Sequence, residues 1–174
     1  MRSGMLVVIS FLLLLNMSGA QTGRGNSQVP LEISLSTSLV SGTMTDSVTL
    51  TTAIKNIASD PIFIYGELDW GPSSSLFLFV EDDAGKSVKA SFFEDALPSM
   101  PSPKDKALFI KLNPDHFFGI SRTDTLSTLV PKPGVYYFQV VYHGPISRRF
   151  ATGKPAWGSE DPPLRSNKIR IEVR

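Results

Sequence analysis

Chemistry in this chain would have to come from few residues. Its only histidines, His116 and His143, stand 27 positions apart, and neither belongs to a His-Glu-x-x-His run. Zinc-dependent hydrolysis needs such ligands clustered on one face, so that reading has no basis. There is no cysteine, which removes thiol nucleophiles, iron–sulfur clusters and thiolate zinc sites. Gly71-Pro72-Ser73-Ser74 and Gly119-Ile120-Ser121-Arg122 both lack the last glycine of a nucleophile elbow. Gly85-Lys86 and Gly153-Lys154 lack the upstream glycine of a phosphate-cradling loop. Glu81-Asp82-Asp83 could hold calcium with help from carbonyls, but without the alternating spacing of an ion-wrapping loop it also reads as a solvated turn. Glu67 and Asp69 could form a carboxylate pair for glycoside cleavage, or be two acids of one exposed loop. No catalytic residue, metal ligand or cofactor is assigned.

Binding is better represented. The segment from His143 to Arg165 contains His143, Arg148, Arg149, Phe150, Trp157, Glu160 and Asp161. Its length exceeds what joining two strands requires, and arginine and tryptophan are enriched where proteins bind partners. Two readings follow. In one, Trp70, His143, Arg148, Arg149 and Trp157 contact a protein or glycan from loops gathered at one end. In the other, Trp157 and Phe150 pin the loop down while Arg148 pairs with Glu160 or Asp161. The proline-rich stretch 94–106 could serve as a rigid loop presented to a protease, or merely as a spacer.

The elements that would position these residues read as strands. Val29, Leu31, Ile33 and Leu35 alternate with polar neighbours, as do Val48, Leu50, Thr52 and Ile54, which is the period of a half-buried strand. Ile62–Tyr65, Leu76–Val80, Ser87–Phe93, Ala107–Leu112 and Ser166–Arg174 add further candidates. Glu81–Lys86 reads as a hairpin connection with Gly85 in a left-handed conformation. Asp115–Thr123 reads as irregular, and Thr123 or Asp124 as the cap of one helical turn near 124–130. Pro131-Lys132-Pro133-Gly134 ends whatever precedes it, and Val135–Tyr142 is apolar enough on both sides to be a central strand.

No amphipathic segment reaches helix length, so the class is all-β: one antiparallel immunoglobulin-like sandwich of seven to eight strands. Tyr136 and Tyr142 sit where such sandwiches place a tyrosine that bonds back to nearby backbone. The runs Asn56…Pro61-Ile62, Leu78-Phe79-Val80…Gly85-Lys86, Leu112-Asn113-Pro114 and Pro133-Gly134-Val135-Tyr136 resemble two bacterial groups. One is the Bacillus-type intracellular proteinase inhibitors, which implies an inhibitory alternative. The other is the β-rich N-terminal region of deuterolysin-like metallopeptidases, whose catalytic motif has no counterpart here.

The first twenty residues have the form of a secretory signal: Arg2, an apolar run of 11 residues from Met5 to Leu15, then small residues up to Ala20. A bilayer-spanning helix needs roughly 20. The expected organisation is a signal peptide at 1–20, a flexible Gly/Ser-rich lead-in at 21–28 and one sandwich domain at 29–174. This places the protein outside the cytoplasm (secreted, periplasmic or at the cell surface), and the missing cysteines suit a bacterial exporter. Without Arg2, 16 basic residues face 16 acidic ones. That balance lacks the basic field of a nucleic-acid binder.

Overall fold

The computed structural model describes residues 29–71, 74–88, 109–151 and 153–174. The expected signal peptide, the lead-in, most of the strand expected at 87–93 and the proline-rich stretch 94–106 lie outside them.

Strand formation follows the alternation closely. β1 (Leu31–Thr37) and β3 (Ser47–Asn56) pair antiparallel from Leu31↔Asn56 to Thr37↔Leu50, and both bury every second residue. β7 (Phe117–Thr125) joins the other side of β3. The second sheet centres on β8 (Gly134–Tyr142), flanked by β5 (Leu76–Asp82) and β10 (Ile169–Val173), with the two-residue β9 (Leu164–Arg165) also against β8. After β1 the chain crosses to this sheet, where β2 (Ser41–Gly42) runs parallel to β10. β1, β3 and β7 thus take the places of strands A, B and E of an immunoglobulin-type sandwich, and β5, β8 and β10 those of C, F and G.

Between the sheets lies one apolar core, with Val48, Ile54, Leu76, Phe138, Val140, Tyr142 and Ile171 wholly excluded from water. Two side-chain devices fix the connections between strands. The Tyr136 hydroxyl donates to the Lys132 carbonyl at 2.9 Å, so of the two tyrosines it is Tyr136 that forms the corner. The Asn167 amide accepts from the Leu35 N–H at 2.9 Å and donates to its carbonyl at 3.0 Å, satisfying the edge of β1 as a neighbouring strand would.

Two expectations need correction. Asp115–Thr123 is not irregular: β7 occupies 117–125, with Ser121 and Thr123 facing outward and Phe118 and Ile120 packing against the core. The helical turn α1 (Leu126–Leu129) is capped by Thr125, with no side-chain bond, and not by Thr123 or Asp124, which precede it in β7. Leu126 and Leu129 supply the reason for the turn, both being fully buried. Gly85 adopts the expected left-handed conformation at φ 74°.

The β3–β7 ladder is interrupted and then resumes as β4 (Ile62–Tyr65) against β6 (Phe109–Leu112). Asn56 holds the interruption together. Its amide nitrogen donates to the carbonyls of Asp60 at 2.9 Å and Leu112 at 3.0 Å, and its side-chain oxygen accepts from the Ala58 N–H at 2.9 Å. Its own N–H and carbonyl reach His116 and Asp115. The residue is fully buried. Asn56→Ala strands three backbone groups at about 1 kcal/mol or more each, so we expect a loss of about 3 kcal/mol in denaturant unfolding. Because β4 forms one wall of the site below, this variant should also loosen that wall.

Candidate functional site

The segment between β8 and β9 folds back on the sandwich. At Phe63 of β4 it makes a short parallel bridge: the Phe63 N–H donates to the Pro155 carbonyl and the Trp157 N–H to the Phe63 carbonyl, each at 2.8 Å. Proline suits position 155, since it supplies a carbonyl where a donor would go unused. A single 3₁₀ turn, Arg148–Ala151, precedes this bridge. Gly144 and Gly158 approach so closely that a Cβ on Gly144 would lie 2.6 Å from the Gly158 backbone. Ile146, Ala151 and Ala156 form a small second core with Tyr65 and Phe109, against which Phe150 and Phe63 pack.

Carboxylates fix the polar side of this segment. Glu160 accepts from the Ser147 hydroxyl and from the Arg148 N–H, the latter at 3.0 Å. The Ser147 hydroxyl, followed by the Arg148 N–H, holds the Glu160 carboxyl below its ordinary value of 4.5. A lowered value means that the ionised form contributes above the ordinary pKa and that the contribution vanishes as pH falls through the lower one. Acidification from pH 6 to 3 should therefore lower the protection of the Arg148 amide relative to its intrinsic exchange rate, and Glu160→Gln should abolish that pH dependence of the protection. Asp161 accepts from the Gly158 N–H at 2.8 Å and approaches Arg148 Nη1 at 3.5 Å.

The five sequence-chosen binding residues separate into two kinds. The expectation that Trp70 and Trp157 are exposed together is overturned: they are 6% and 4% exposed and belong to the main core. The large apolar rings outweigh their loop positions, because the folded-back loops offer a place to bury them. Each indole N–H lacks an acceptor among the described residues. His143 is half-buried beside the 66–75 loop, its N–H bonded to the Ser75 carbonyl, and burial pushes its imidazole below the ordinary range. Arg148 and Arg149 remain exposed, with Arg149 over the Phe150 ring at 4.8 Å.

Arg148 and Trp157 are brought together in a groove of about 490 Å³. Val29, Pro30, Ile62 of β4, Pro155, Ala156 and Trp157 give it its apolar lining. Arg148, Lys154 and Asp161 carry its charges. Sequence reading missed Val29, Ile62 and Lys154 as site residues, since the first two count as strand positions and the third as a loop cation. The available signal was Pro155 beside Trp157, a pair suited to bridging a strand edge. Val29 and Ile57, linked through the bond from Ile57 N–H to the Pro30 carbonyl, are exposed at this end. So is Phe117, at 72%, paired with Lys55 of β3. Among the described residues, no group of three or more His, Cys, Asp or Glu side chains could hold a metal ion. Nor is any helix there long and apolar enough to cross a membrane.

No protein-family model matches the chain, and no curated protein does. Similar solved structures include a CARDB domain from Pyrococcus furiosus, crystallised in complex with di-metal ions, at 10% identity and a TM-score of 0.39, covering 83% of this chain and 87% of that one. A β-glucosidase from Erythrobacter marinus is similar at 12% identity and a TM-score of 0.38, covering 83% of this chain. A Listeria innocua β-glucosidase in complex with glucose is similar at 16% identity and a TM-score of 0.37, covering 82% of this chain. The chain spans 15% of the first enzyme's length and 16% of the second's.

Proposed function

We propose that this protein is an exported, non-catalytic interaction module that binds a protein partner at the end of the sandwich carrying the groove. The observation that carries this reading is the groove itself. It is concave, mostly apolar and bordered by a few charges, within the roughly 300–1,000 Å³ range of ligand-binding clefts. Of the four exposed large apolar side chains among the described residues, Val29, Ile57 and Phe117 lie at this end and Val40 does not. Exposed apolar side chains at the end that carries the cleft favour a protein surface as the ligand. In this reading Trp70 and Trp157 act by shaping the loops, and Arg148 is the residue of the original five that meets the partner. The inhibitory alternative draws no support from His143–Phe150, which is folded down by buried Ile146 and the 3₁₀ turn rather than held out as an extended loop.

Export follows from the leader, with cleavage after Ala20; the intact mass of protein recovered outside the cytoplasm should begin at Gln21. The binding claim is tested by selecting displayed peptides against the exported chain and retitrating them against Val29→Asp, which places a charge on the rim without touching the core. We expect affinity to fall about tenfold, the equivalent of roughly 1.4 kcal/mol. Undiminished binding would move the site elsewhere, and turnover in a broad hydrolase screen would overturn the non-catalytic reading.

A further inference from the structure

We infer that the groove selects an acidic group set beside an apolar one, carried on an extended segment of a partner protein, with Arg148 and Lys154 receiving the carboxylate. This rests on the groove being the binding site. Charge favours this ligand. Two cations and one carboxylate line the groove, although the chain without its leader is neutral, so the positive balance is local. The neighbouring carboxylates cancel it only in part. Asp161 takes the Gly158 N–H at 2.8 Å and meets Arg148 through one guanidinium nitrogen at 3.5 Å, too long for a strong hydrogen bond. Glu160 is held by the Ser147 hydroxyl and the Arg148 N–H rather than by the guanidinium.

Arg148 is therefore left with most of its planar donor fork, the geometry that suits a carboxylate. Lys154 lies over the face of Phe63 at 4.6 Å and pairs with no carboxylate among the described residues. This contact orients the ammonium along the groove wall without using its hydrogen-bond donors. Trp157 is part of the wall and mostly buried, so its ring senses occupancy of the groove. The volume admits one or two side chains, so the recognised unit is a short segment.

The test uses an isosteric pair of probes, 3-phenylpropionate and 3-phenylpropionamide, titrated into the ¹⁵N-labelled exported chain. The signals followed are the two indole N–H resonances, assigned with Trp70→Phe, and the amide of Ala156. The acid should shift the Trp157 indole and Ala156 saturably, and the amide should bind about tenfold more weakly. Arg148→Ala and Lys154→Ala, made separately in case one disturbs Asp161, should each weaken the acid and leave the amide unchanged. Added salt should erode the acid's advantage. Equal binding of acid and amide at these signals would overturn the charge selection while leaving the groove as a site. Shifts by the acid confined to other residues, or no shift, would overturn the inference; peptide loss on Val29→Asp would then still support the groove.

Discussion

Trp157→Ala should destabilise the protein by about 3–5 kcal/mol whether or not a ligand is present. The side chain is 4% exposed and packs into the main core, although it belongs to a connection between strands. Removing a buried tryptophan forfeits its transfer free energy and leaves a cavity that the surrounding strands fill only in part. Set against the 5–15 kcal/mol that holds a domain of this size, that is a large fraction. Thermal unfolding should move down by roughly 2–4 °C for each kcal/mol. Trp157→Phe separates packing from polarity, because it keeps most of the ring and discards an N–H with no partner among the described residues. It should lie within about 1.5 kcal/mol of the parent. A Trp157→Ala protein as stable as the parent would mean that this indole lies outside the core.

Gly119→Ala should cost about 3 kcal/mol or more, for a different reason. A Cβ at this position would sit 2.0 Å from the Thr52 carbonyl oxygen and 2.9 Å from the Ala53 Cα. Both atoms belong to the backbone of β3, which is paired with β1 on its other side and has no room to retreat. The methyl therefore has to push β7 away, and overpacking of this kind strains the whole ladder. Gly85→Ala supplies the contrast. Nothing lies within 4 Å of its added Cβ, but its φ of 74° disfavours any side chain. That change should cost only about 1 kcal/mol. Urea unfolding of both variants decides the matter: a Gly119→Ala cost no greater than that of Gly85→Ala would contradict the close approach.

These two residues also show what the sequence made legible. β1, β3 and β10 could be read because one face of each is buried and the other is not, and apolar alternation records that difference directly, whereas β5 and β8 were legible as continuous apolar and aromatic runs. β7 could not. Its inward positions are Phe118, Ile120, Arg122 and Asp124, and the last two pair with each other at 2.5 Å instead of presenting apolar atoms. Gly119 in its midst reads as a breaker, whereas the fold needs it for the approach of Thr52. Composition along one strand does not reveal such a requirement, which comes from the neighbouring strand.

The loop aromatics were half legible. That Trp157 and Phe150 pin the segment, with Arg148 near Asp161, could be stated in advance as one of two readings. What decided between them was the free edge of β4, available to bond Pro155 and Trp157, and nothing local to either residue marks that edge. The groove was illegible for the same reason: Val29, Ile62 and Lys154 are far apart in the chain and meet only because this bridge forms. Asn56 is an intermediate case. A turn cluster from Asn56 to Pro61 was evident, but its complete burial depends on Leu112, which lies on another strand.

The groove requires that the 143–165 segment be a fixed wall, held to β4 at Phe63, and not a free connection. Native-state hydrogen exchange of the amides of Phe63 and Trp157 measures that attachment directly. Each donates in a 2.8 Å bond of the bridge, so both should exchange as slowly as core amides such as Ile54 and Val80. Exchange of both at the rate of an unstructured peptide would mean that the wall, and with it the groove, does not exist in solution.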